Sequence, residues 1–150
     1  MNRTEVIKFL NQAYRMDKLI EHDKRELKRL RDLSVVVGAI GYGDKVQNGG
    51  SGEDYSIIDR IMDKEQNVRL KIIEREQTIE KIKSTIDKLD DNFEKEILLL
   101  RHIEFANWYD IETLVAYSKR QCIRIYNKGV DNIQSILEAE KDGTQCHTDL

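Results

Sequence analysis

Residues 55–89 read YSIIDRIMDKEQNVRLKIIEREQTIEKIKSTIDKL, and this stretch decides the fold class. Ile58, Ile61, Glu65, Val68, Ile72, Arg75, Ile79, Ile82, Ile86 and Leu89 follow one another at alternating spacings of three and four. Such a spacing keeps one stripe of a helix facing a partner helix over its whole length. Only Glu65 and Arg75 are polar among these positions. At 1.5 Å per residue the segment predicts a helix roughly 50 Å long.

A partner of matching length lies upstream. Between Thr4 and Leu33 the seam Val6, Phe9, Ala13, Met16, Ile20, Leu27 and Leu30 is broken only by Asp23, with Ile7, Leu10, Tyr14 and Leu19 widening the stripe. Thr4 is the expected N-cap. The chain contains no proline, so nothing interrupts either hydrogen-bond ladder. Residues 34–54 hold most of the eight glycines and read as a flexible Gly-rich loop. They do not read as a phosphate cradle, because no Gly-Lys-Ser/Thr follows and no strand precedes. Two long helices around one loop predict an antiparallel, coiled-coil-like hairpin over residues 1–91. Asp23, Glu65 and Arg75 either fix the register of that hairpin or sit solvated where it splays.

Composition bounds the rest. Of 150 residues, 35% are charged, against a typical ~25%, so apolar residues must form stripes and not one thick core. Eighteen isoleucines argue against wholesale disorder. No run approaches ~18 consecutive apolar residues, and no apolar leader opens the chain, so neither a membrane span nor a secretion signal is expected. Two cysteines, Cys122 and Cys146, are too few to staple a secreted scaffold and fit a cytoplasmic protein. The histidines His22, His102 and His147 lack metal-site spacing, and no nucleophile elbow is present. The sequence therefore shows no carrier for catalysis, no metal site and no cofactor site.

Beyond Asp91 the helices shorten, and residues 92–137 predict a compact helical module. Phe93 to Ile103 is one helix; Asn107 caps a second with Trp108, Ile111, Leu114 and Val115; Ala116-Tyr117 turns; Ser118 caps a third. That is helix-turn-helix spacing. The last helix buries Cys122, Ile125, Tyr126, Gly129, Ile133 and Leu137, whereas Arg120, Gln121, Arg124, Asn127 and Lys128 project away. Lys119 follows the cap, and no acid occurs before Asp131. Arginine reads guanine bidentately, glutamine or asparagine reads adenine, and lysine neutralises phosphate. Ser118 with the helix N-terminus suits a phosphate oxygen. Net charge is −3, so attraction to DNA must come from this local patch. Residues 138–150 show no period and read as a flexible tail.

Three stretches carry a resemblance. FLNQAYRMDKLIEHDKRELKRLRDLS from Phe9, KVQNGGSGEDYSIIDRIMDKE from Lys45, and LRHIEFANWYDIETLVAYSKRQCIRIYNKGV from Leu100 resemble a family of small phage and prophage proteins of Gram-positive bacteria, DUF1492. That family is related to the ArpU/RinA-type late transcriptional regulators, and its C-terminal part is similar to region 4 of sigma factors. The specific signal is the Trp108 helix, then Tyr117-Ser118, Arg120-Gln121 and Arg124-Ile125. The resemblance implies a DNA-binding transcriptional regulator, an activator of phage genes, with double-stranded DNA as partner. The hairpin would then serve for dimerisation as a homo-oligomer or for holding host RNA polymerase. This chain departs from the family pattern at Glu112, where a small residue is usual, at Ala116, where glycine is common, and at Gly129, where alanine is usual. Gly129 is expected to weaken its helix by ~0.5–1 kcal/mol. Two other readings stay open from the residues alone. One is a structural or assembly protein such as a small DNA-packaging subunit; the other is a coiled-coil adaptor that does not bind DNA.

Overall fold

The computed structural model describes the backbone of residues 1–41 and 51–148, with side chains described for 1–39 and 56–143. The protein is all-α. Its helices are α1 (Arg3–Leu10), α2 (Gln12–Gly41), α3 (Ser51–Ile86), α4 (Asn92–His102), α5 (Trp108–Val115) and α6 (Lys119–Thr148), and the described residues contain no strand. They form two units, residues 16–75 and residues 1–15 with 76–150.

The first unit is an antiparallel pair cut from α2 and α3. Asp17 pairs with Arg75 at 2.7 Å, Asp23 with both Lys71 and Lys64, and Arg31 with Glu65. Residue numbers rise along α2 as they fall along α3, which fixes the antiparallel sense. The seam is thinly apolar, with Ile20, Leu27 and Val68 buried. Each polar seam residue foreseen in the sequence is ion-paired across the helices. Asp23, only 5% exposed, sits between two ammonium groups, and hydrogen bonds from Lys71 and then Lys64 hold its carboxyl below the ordinary range. These pairs specify register, since any slip would leave a buried carboxylate unmatched.

The second unit carries the apolar core. Val6, Leu10 and Ala13 pack with Ile82, Ile86 and Leu89, and the same cluster takes Leu98 from α4 and Val130 and Ile133 from α6. A smaller cluster of Ile97, Ile111 and Cys122 joins α4, α5 and α6. Both ends of the early chain thus belong with the C-terminal helices. The expected division into 1–91 and 92–137 is not the one these contacts draw, because one shared core binds both segments.

Several boundaries also differ. The first helix starts under Asn2, not Thr4: the Asn2 side chain accepts from the Glu5 backbone at 2.9 Å, and the Glu5 carboxylate accepts from the Asn2 backbone N–H at 3.0 Å. It is interrupted at Asn11. The Gly-rich segment is shorter than 34–54, since α2 continues to Gly41 and α3 begins at Ser51; the rest of the expected loop lies outside the described residues. Residues 138–148, expected as tail, continue α6. Glu138 and Glu140 there meet the N-terminal ammonium and Lys88. A solvated helix has no apolar period, so the sequence does not mark where α6 ends.

Candidate nucleic-acid interface

The stretch from Asn107 to Asn132 is built by local rules. Asn107 Oδ1 accepts from the Asp110 backbone at 2.8 Å and opens α5. The helix ends at Ala116, which takes the left-handed conformation (φ 59°, ψ 34°) while its N–H bonds the Glu112 carbonyl at 3.0 Å. Glycine is the residue that adopts this cap without a Cβ penalty, so Ala116 carries that cost. Ser118 Oγ then accepts from the Gln121 backbone at 3.2 Å and opens α6.

Burial sorts the faces of α6. Cys122, Val130 and Ile133 are fully buried, and Gly129 is buried against α4, where a Cβ would meet Leu98 Cδ1 at 3.1 Å and Glu94 Cβ at 3.4 Å. The missing Cβ therefore lets α4 pack closely against α6 at this position. Burial first, and the Glu112 carboxylate second, push the Cys122 thiol up. It is a packing residue that keeps its proton.

Opposite Cys122, Arg120, Arg124 and Lys128 are exposed, with Lys119 exposed at the helix start. At ~100° per residue, Arg120, Arg124, Asn127 and Lys128 fall within about 100° of arc. None of the four cations forms an ion pair among the described residues. Ser118, placed as expected, is engaged as the cap. Gln121 is half-buried. Asn127 is also half-buried, and its Oδ1 accepts from Arg3, whose other terminal nitrogen bonds Asp131 at 2.9 Å. Asn127 thus joins α6 to α1. Arg3 is the residue that sequence reasoning missed: it lies 124 positions away, and no local pattern links the two. It sets a cation beside Asp131, the first acid after the basic stretch.

A polar linkage steadies the inner side. His102 is buried, with Nδ1 at 3.0 Å from Asn11 Oδ1 and Nε2 at 3.0 Å from the Tyr126 hydroxyl. Asn11 Oδ1 can only accept, so Nδ1 carries the proton and Nε2 accepts from Tyr126. Burial holds the His102 pKa down to about 4. Tyr126 also meets Trp108 edge-on, and Arg101 lies over the Trp108 ring. Asn11 at the break between α1 and α2, His102 at the end of α4 and Tyr126 on α6 are thereby locked together. Among the described residues no group of three His, Cys, Asp or Glu could hold a metal, and no helix is long and apolar enough to cross a membrane. Comparison with family models, curated proteins and solved structures gives no match.

Proposed function

We propose that the chain binds double-stranded DNA through the exposed face of α6 and acts as a transcriptional regulator of the phage type. The carrying observation is the set of four exposed cations, Lys119, Arg120, Arg124 and Lys128, that no carboxylate of the described residues engages, on a helix whose other face packs inward through the buried Cys122, Gly129, Val130 and Ile133. In a chain of net charge −3, cations left unpaired over the first three turns of one helix are a local reversal of charge. Arg120 and Arg124, one turn apart, suit base edges; Lys119 and Lys128, at the two ends, suit phosphates. Arg3, held on Asp131, lowers the repulsion that this carboxylate would exert on a phosphate. The capped start of α6 adds backbone N–H groups to the same end.

The test is a fluorescence-anisotropy titration of the full chain on a selected duplex and on a scrambled one at several salt concentrations. Arg124→Ala is expected to cost about 1–3 kcal/mol on the selected duplex and to relax preference at one base pair. Lys128→Ala is expected to weaken both duplexes alike and to lower the salt slope by roughly one. Binding that is indifferent to salt and to both substitutions overturns the reading.

A further inference from the structure

Two acceptors stand on the basic face of α6, and one residue of α1 takes both. The Asn127 amide oxygen accepts from one terminal nitrogen of Arg3, and the Asp131 carboxylate accepts from the other at 2.9 Å. At ~100° per residue, Asn127 and Asp131 fall in the same arc as Arg120, Arg124 and Lys128. An arginine only donates, so the end of the Asn127 amide that meets it must be Oδ1. Nδ2, which makes no hydrogen bond among the described residues, is left for whatever approaches α6. Arg3 is held in place by more than its own bonds. It opens α1, whose Val6 and Leu10 share a core with Val130 and Ile133, and Gln134 donates to the Met1 carbonyl at 2.7 Å.

We infer, on the DNA reading given above, that Arg3 is a positioning residue that sets base preference. By occupying Asn127 Oδ1 it turns the centre of α6 into a face of donors, which selects guanine over adenine.

The chemistry lies in the major groove. Asparagine reads adenine by two bonds at once, accepting from N6 and donating to N7. With Oδ1 engaged by Arg3, the first of these is lost. Guanine presents two acceptors, N7 and O6. Arg120, Arg124 and Lys128 likewise have only donors to offer. A free carboxylate at Asp131 could accept from cytosine N4, but Arg3 engages that group as well. Gln121 stands just outside the arc and is half-buried.

The experiment is selection by the full chain from a duplex library with a randomised centre. Anisotropy titrations follow on the enriched duplex and its single-base-pair variants. Wild type is expected to prefer guanine at the position whose preference Asn127→Ala erases. Arg3→Met keeps the stem, removes the donors and frees Oδ1. Preference for guanine over adenine there is expected to fall by about tenfold or more. Arg3→Lys keeps a donor and is expected to retain part of the preference. The Arg3 side chain is 42% exposed, so the fold should survive, and far-UV circular dichroism checks it. Should helicity fall, Asn127→Asp takes its place: it keeps a partner for Arg3, removes the amide donor and must lose the guanine preference. An enriched duplex that Arg124→Ala weakens, but on which Arg3→Met changes no preference, overturns the role of Arg3 and leaves the DNA reading standing. So does adenine at the Asn127 position in wild type, or an Asn127→Ala that erases no preference. A library that enriches nothing overturns both.

Discussion

The two units solve the same problem, burying one face of a long helix, with opposite materials. Residues 1–15 and 76–150 hold all the fully buried hydrophobic side chains among the described residues except Ile20, Leu27 and Val68. Residues 16–75 instead leave Leu19, Leu33, Val35, Val36, Ile58, Met62, Leu70 and Ile73 exposed, and use ion pairs where the seam is polar. The difference follows from layering. Four or five helix segments can surround a side chain, whereas two helices enclose only the line between them. An apolar residue off that line stays wet until another surface covers it. The packed unit carries the frame for α6, and the paired unit leaves much of its apolar surface in solvent.

The widest contrast is expected from one substitution made in each unit. Leu98 is fully buried between the core helices, so Leu98→Ala should cost about 3–5 kcal/mol through lost burial and the cavity left behind. Leu70→Ala, at a side chain 53% exposed, should change stability by no more than about 0.5 kcal/mol. Chemical denaturation monitored by circular dichroism measures both, provided the slope against denaturant is unchanged. Equal costs would show that the two units are packed alike.

Acid should separate the units in pH. His102 holds a proton near pH 6.5 when unfolded but only near about 4 when folded, so the unfolded chain binds more protons in between. Stability of the packed unit is complete above pH 6.5 and falls by about 3 kcal/mol in total as pH drops to 4. Asp23 acts lower. Its carboxyl is held below 3.8 by Lys71 and Lys64, so its contribution is present above that value and is lost only as pH falls through the lowered one. Hydrogen exchange resolved by segment should therefore show α4 and α6 losing protection between pH 6.5 and 4, before the Asp23 region of α2 does. Simultaneous loss at one pH would break the comparison.

How much of this was legible in the sequence depends on whether a residue's role is local or distant. The seam from Ile61 to Leu89 and the cap at Ser118 were readable, because period and capping chemistry act within a turn or two; Ile58, expected as the first seam residue, is instead exposed. The all-α class followed from them. The assignment of Val6 and Leu10 to a core shared with Val130 and Ile133 was not, since an apolar stripe states that something covers it and not what. Buried Glu94 and His102 were likewise invisible. Glu94 is satisfied by Asn132 at 3.0 Å and His102 by Asn11 and Tyr126, all supplied from elsewhere in the chain. Glycine content also misled at residues 34–41, where helix continues through Gly38. Glycine weakens a helix by ~1 kcal/mol, which lowers stability without forcing a turn. At the basic face the residue types were legible, but the occupation of Asn127 by Arg3 depended on the tertiary fold.

The smallest expected effect tests the comparison most finely, because it uses one chemical change with opposite signs. Gly38 lies in α2 with nothing within 4 Å of where a Cβ would stand. Gly38→Ala therefore adds helix propensity alone and should stabilise by about 0.5–1 kcal/mol, reduced where the helix end frays. Gly129 gains the same propensity, but its Cβ would come within 3.1 Å of Leu98 Cδ1. Leu98 is fully buried among the core residues and has no open space to retreat into. Overpacking of this kind costs about 1–3 kcal/mol, which outweighs the propensity gain and leaves Gly129→Ala destabilising by roughly 1 kcal/mol. Denaturant midpoints should thus move apart, up for Gly38→Ala and down for Gly129→Ala. A rise for both would mean that α4 can move away from α6 without loss. The close approach at Gly129 would then be incidental to holding the basic face in place.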